Sequence, residues 1–191
     1  MKRIFLCAAA ISVLCSSCES TDETFLENNK TDYTAAKQSG EWNDYEVYQN
    51  IVNTFGYDTQ QTHQENLLRF EQHVNFLMTD EEYVSIDYGQ LGLFATATAD
   101  LVAQLNYSVA TKEAIYKILN QSFDPETLVF IDNEQERRLI QTLFAVYSNG
   151  SDDDDDDTWN DKRIIAFAYG AQYSFKHAVL YAGAVELMRY Q

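Results

Sequence analysis

Beyond Glu41, apolar residues recur at intervals of three and four positions, a spacing that places their side chains on one face of an α-helix. Thr62 and Glu65 form a capping box, which satisfies free backbone donors in the first turn of a helix. Similar patterns predict further helices that begin near Asp44, Thr79, Asp87, Ser108, Asn133 and Thr158. We therefore predict an all-α fold, a compact bundle of six to seven helices.

One segment between these helices is ambiguous. Asp124 followed by Pro125 is typical of a helix start, because a proline at the first helical position loses no hydrogen bond. The apolar run 128–131 that follows is equally typical of a short strand. Helix and strand therefore both stay open for 128–131.

The last predicted helix, which runs from Thr158 to about Arg189, is apolar on nearly all sides. Its length would suffice to span a bilayer. Lys176 would then lie near the bilayer centre, where a charge is costly. We therefore expect a central helix of the bundle, surrounded by the others.

The first residues of the chain have a different pattern. Two basic residues precede an apolar run over 4–14, and Ser16 and Ser17 stand directly before Cys18. A basic start, a short apolar core and small residues before a cut indicate a removable signal peptide. The segment resembles the bacterial lipoprotein signal, in which the cysteine is acylated and becomes the first residue of the mature chain. That resemblance implies a lipid anchor on Cys18.

Acidic residues follow the predicted lipidation site, at Glu19, Asp22 and Glu23. They resemble the surface-export signal of lipoproteins from Bacteroidota-type bacteria. The resemblance implies an outer-membrane address, with the cell surface as one of its two faces. The predicted organisation is a signal peptide over 1–17, a flexible acidic tether over 18–40 and a helical domain over 41–191.

Charge narrows the range of partners. The sequence contains 30 acidic and 13 basic residues, which gives a formal net charge of -17. Such a surface repels phosphate backbones, so nucleic-acid binding is excluded from the candidate functions. Soluble partners with basic surfaces would be attracted and steered toward it. We expect attachment to the membrane through the N-terminal lipid and a protein partner with a basic surface.

Catalytic chemistry has little support in the sequence. Cys7 and Cys15 lie in the signal peptide and Cys18 is predicted to carry lipid, which leaves no thiol for a disulfide or a nucleophile. The sequence contains no Gly-x-Ser-x-Gly elbow and no phosphate-binding glycine loop. Asp100, in a predicted apolar helix, is the carboxylate to test for a perturbed pKa. We predict a non-catalytic protein without a cofactor.

Six consecutive aspartates occupy 152–157. An EF-hand loop needs glycine at its sixth place and glutamate at its twelfth, where this run has Asp157 and Arg163. We expect a solvated loop and no metal site. A loose cation site at Asp152, Asp154 and Asp156 and a docking patch for a basic partner are the weaker alternatives.

The three histidines, His63, His73 and His177, have no usual metal ligand three or four residues away. His73 lies between aromatic residues, which indicates a position in the core or at its edge.

Aromatic residues cluster at the start of the domain, at Trp42, Tyr45 and Tyr48. Exposed rings of this kind would stack on glycans or anchor a protein partner. Their three-residue spacing is more typical of the inward stripe of a first helix. The leading functional hypothesis is a lipid-anchored, non-catalytic binding or accessory module of an outer-membrane assembly. The alternative is a glycan-binding accessory lipoprotein of a nutrient-uptake system.

Overall fold

The computed structural model describes residues 43–79, 82–96, 99–149 and 157–190, all within the structural unit Thr31–Gln191. These residues are 74% helical and contain no strand, which confirms the all-α prediction. The α-helices are α1 (Asp44–Thr54), α2 (His63–Leu77), α3 (Tyr88–Ala95), α4 (Asp100–Gln104), α5 (Val109–Leu119), α6 (Glu134–Ser148), α7 (Asp157–Ala171) and α8 (Phe175–Leu187). Two 3-10 helices complete the described part, η1 (Pro125–Phe130) before α6 and η2 (Met188–Tyr190) after α8.

The capping box predicted at the start of α2 is present. The Glu65 carboxylate accepts a hydrogen bond from Thr62 N at 2.7 Å, and Thr62 Oγ1 accepts one from Glu65 N at 3.2 Å. α1 begins with a second box, in which Asn43 and Glu46 exchange the same pair of bonds. Both boxes satisfy backbone donors that the first turn of a helix leaves free.

The box predicted at Thr79 does not start a helix, because residues 82–87 are non-helical. Side chains of α2 take over the hydrogen bonds of this segment. Asn75 donates to Val84 O at 2.7 Å and accepts from Val84 N at 2.8 Å. The buried Glu71 carboxylate accepts from Ile86 N at 2.7 Å. Tertiary hydrogen bonds thus replace the local ones that the capping pattern favoured.

The last predicted helix is two helices. α7 ends at Ala171, and Ser174 caps α8 by accepting from His177 N at 3.3 Å. The two helices pack as an antiparallel hairpin, with Arg163 Nη1 3.2 Å from the Glu186 carboxylate. Within the described ranges, no helix combines the length and the apolar character needed to cross a membrane.

α8 lies at the centre of the bundle, as predicted for this segment. Residues 178–185 are all buried, and α8 contacts α1, α2, α3 and α7. Lys176, only 1% exposed, points its ammonium group into the segment after α2. Its Nζ donates to Met78 O at 2.8 Å and to Glu82 O at 3.0 Å. The charge that argued against a membrane span therefore holds a loop onto the central helix.

Glycines let the central helices approach their neighbours. A Cβ atom on Gly170 would lie 2.5 Å from the carbonyl carbon of His177, which is backbone of α8. A Cβ atom on Gly183 would overlap the ring of Phe70 in α2. Contacts this close between helices require a residue without a side chain.

The ambiguous segment 128–131 is not a strand. Pro125–Phe130 forms a 3-10 helix, and the carboxylate of Asp124 accepts from Glu126 N at 2.9 Å at its start. Ile131 is buried and fixes the end of this helix to the core.

Candidate functional site

Several residues singled out in the sequence lie outside the described residues. They include Cys18, Trp42 and the three aspartates Asp152, Asp154 and Asp156. The lipid anchor and the weaker cation site therefore stay predictions.

Tyr45 and Tyr48 do not form an exposed binding surface. Tyr48 is 4% exposed, and its ring meets Phe167 of α7 edge-on at 5.5 Å. Burial raises the pKa of Tyr48, and the nearby Arg163 guanidinium offsets only part of that effect. Tyr45 is half-buried against the core. The three-residue spacing belongs to the buried face of α1, so the Tyr48 ring cannot stack on a ligand.

The titratable residues singled out in the sequence lie near helix starts or at the edge of the core. Asp100 is exposed at the first position of α4. Ser174 Oγ lies 3.0 Å from His177 Nδ1, a contact between residues of one capped turn. His73 packs against Phe55 and Phe70 at the edge of the core, as expected. Across the described ranges, no three His, Cys, Asp or Glu side chains come together in a group able to hold a metal ion.

A cavity of about 520 Å³ lies where the N-terminal ends of α1, α6 and α8 meet the loop before α5. Two hydrogen bonds fix its walls. Tyr107 donates through its hydroxyl to Ala168 O of α7 at 2.7 Å, and Asn106 N donates to Gln172 Oε1 at 2.6 Å. Burial, with the nearby Glu136 charge, raises the pKa of Tyr107, so this phenol stays a neutral donor.

Glu136 anchors the floor of the cavity. Its carboxylate accepts from Ser108 Oγ at 2.5 Å, from Ser108 N at 3.3 Å and from the hydroxyl of Thr111. Burial raises the pKa of Glu136, but these hydrogen bonds outweigh it and hold the pKa below its usual range. Glu136 is therefore ionised at neutral pH, and its carboxylate is occupied by hydrogen bonds from Ser108 and Thr111 at the start of α5.

The rim of the cavity is polar, with one exposed aromatic ring. Tyr173 is 62% exposed, and its ring lies 5.5 Å from the rings of both Tyr169 and His177. Within the described part of the chain, the side-chain amides of Asn106 and Gln135 form no hydrogen bond. These groups come from three separate segments, so no single sequence motif identifies them.

A second exposed feature is the apolar tip, which consists of Val129 and Phe130 in the 3-10 helix η1. Val129 is 72% exposed and Phe130 is 73% exposed. The exposed carboxylates of Asp124, Glu126 and Asp132 flank the tip along the chain. The sequence showed the apolar run, but apolar character alone does not distinguish a buried segment from an exposed one.

The described residues thus present two features suited to binding, the cavity and the apolar tip. Comparison of the chain with models of known protein families, with curated proteins and with solved structures finds no match in any of the three.

Proposed function

We propose that this protein is a lipid-anchored, non-catalytic accessory module of an outer-membrane assembly. It binds a protein partner with a basic surface. The signal pattern that ends at Cys18 supports the anchor, and the net charge of -17 supports the choice of partner. The single observation that carries the binding role is the exposed apolar tip, which acidic residues flank along the chain.

The apolar tip exposes two apolar side chains that are neighbours in the chain. Contiguous apolar surface with a polar rim is typical of protein interaction sites. Val129 and Phe130 are adjacent and nearly three-quarters exposed, whereas the next residue, Ile131, is buried. The 3-10 helix is therefore held by the core while its tip points into solvent.

Charge complementarity selects the partner. Asp124, Glu126 and Asp132 are exposed and place negative charge on both sides of the tip along the chain. A partner with an apolar pocket and a basic rim would bind well for two reasons. Its basic rim would steer the encounter, and its pocket would bury the ring of Phe130 and the methyl groups of Val129. An acidic partner would be repelled before contact.

The tip is tested by the double substitution Val129→Ser and Phe130→Ser in the full-length, membrane-attached chain. Quantitative cross-linking from native membranes at low salt should recover a basic protein with the wild-type chain. The recovery should fall about tenfold with the double variant, because exposed anchor residues dominate such contacts. The thermal midpoint should stay close to that of the wild type, since both side chains are exposed.

Val109→Ser is the matched control, because Val109 is 73% exposed and belongs to α5, a different helix from the tip. It should leave the recovery unchanged. Equal recovery with the double variant, or no basic protein recovered by the wild type at any salt, would contradict the proposal.

The anchor is tested separately. Mass spectrometry of the native chain should find Cys18 as the first residue, acylated at its amine and its sulphur. An intact Met1, or an unmodified Cys18, would contradict the proposed lipid anchor. The proposal for the apolar tip would then depend on the cross-linking experiment alone.

A further inference from the structure

We propose that the cavity between the N-terminal ends of α1, α6 and α8 is a binding site for a neutral saccharide. This inference goes beyond the proposed protein partner, because the cavity and the apolar tip are formed by different residues. It also moves the expected stacking surface from Tyr48, which is buried, to Tyr173.

The size of the cavity suits a small ligand. Its volume of about 520 Å³ lies within the range of about 300–1,000 Å³ that is typical of small-molecule sites. Its walls are fixed by the bonds of Tyr107 to α7 and of Asn106 N to Gln172. A preformed wall lowers the cost of ordering the protein when a ligand binds.

The free polar groups at the rim are amides. Asn106 and Gln135 have unengaged side-chain amides, and Asn133 uses its oxygen to cap α6 while its nitrogen forms no hydrogen bond within the described residues. An amide offers donors and an acceptor side by side. A hydroxyl group also donates and accepts, so a ligand with several hydroxyls suits these amides.

The charged side chains in the lining favour an uncharged ligand. Glu136 is committed to Ser108 and Thr111, and Arg138 Nε lies 3.3 Å from Glu134 Oε1. Asp44 adds a second carboxylate to the lining. An anionic ligand would therefore meet more negative than positive charge, and a cationic ligand would compete with the hydrogen bonds that Glu136 already accepts.

Tyr173 supplies the aromatic surface. Its hydroxyl donates to Tyr169 Oη at 3.2 Å, and its ring lies beside His177 with an angle of 37° between the planes. These contacts fix the direction of the ring while 62% of the residue stays exposed. The C–H face of a sugar ring is apolar and packs on such a surface, whereas its hydroxyls face the amides.

The experiment uses the full-length chain in a zwitterionic detergent without a sugar headgroup. Ligand-observed saturation-transfer NMR is recorded with neutral mono- and disaccharides, uronic acids and amino sugars at equal concentrations. Neutral sugars should give the strongest transfer. Tyr173→Ala should weaken their binding about fivefold, the effect of losing one aromatic face.

Tyr190→Ala is the matched control, because Tyr190 is 59% exposed and stacks on Tyr57 at 5.1 Å but does not line the cavity. It should leave binding unchanged. Asn106→Ala is a second variant at an exposed position and should weaken binding with unchanged thermal stability. Absence of transfer from every sugar, preference for a charged sugar, or equal effects of the two tyrosine variants would each overturn the proposal.

Discussion

Replacement of Gly170 by alanine should lower the free energy of unfolding by about 3 kcal/mol, the upper part of the range for overpacked cores. The new Cβ atom would lie 2.5 Å from both the carbonyl carbon and the carbonyl oxygen of His177. Both atoms belong to the backbone of α8, so no side-chain rotation can relieve the overlap. The hairpin of α7 and α8 must separate locally, which weakens the packing at the start of α8.

Gly92→Ala in α3 is the matched control, because a Cβ atom there meets nothing within 4 Å. Alanine is the better helix former by about 1 kcal/mol, so this variant should be slightly more stable than the wild type. Chemical denaturation of both variants, followed by circular dichroism, gives the comparison. Equal stability of the two variants would show that α7 and α8 do not approach as closely as described.

The second large effect is expected at Lys176. Lys176→Met keeps the length of the side chain and removes the ammonium group, which donates to Met78 O and Glu82 O. Lys176 is only 1% exposed, so water cannot readily take the place of its ammonium group. Both backbone carbonyls then lose their charged donor. The bond to Met78 O is buried and the bond to Glu82 O is partly buried. An unpaired buried group costs about 1–3 kcal/mol, so a loss of about 3 kcal/mol is expected.

Lys112→Met provides the comparison at an exposed site. Lys112 Nζ donates to Ala103 O at 2.9 Å, but water can replace this bond. Its loss should cost less than about 1 kcal/mol. A gain in stability for Lys176→Met would mean that desolvation of the ammonium group outweighs its hydrogen bonds. Hydrogen exchange should additionally show faster exchange of the Ile86 amide in Lys176→Met, because the segment 82–87 is released.

The sequence predicted those parts of the fold that depend on local signals. The caps at Thr62, Ser108 and Asn133 each involve a side chain and a backbone amide two or three residues away, so their pattern is visible in the chain. The helical periodicity of the apolar residues was sufficient for the fold class.

Tertiary contacts decided the rest. The capping pattern at Thr79 is as good as the one at Thr62 in sequence, but Asn75 and Glu71 bind the backbone that follows it. The break before Ser174 carries no glycine or proline at the turn itself. It is fixed by the packing of α7 on α8, which no local pattern reports.

The candidate binding features were harder to foresee than the fold. The cavity joins residues as distant in the chain as Asp44 and Tyr173, and its amides belong to residues that are common in loops. The apolar tip belongs to an apolar run, and such runs are usually buried. In the structure, Pro125–Phe130 is a 3-10 helix that leaves Val129 and Phe130 exposed.

The position of α8 at the centre of the bundle affects the order in which the chain can fold. α1 and α2 both pack on a helix that is synthesised after them, and Lys176 reaches back 98 residues to Met78. Until α8 has emerged, α2 lacks the helix on which it packs most extensively. The chain therefore completes its core in a late step, after α8 has been synthesised.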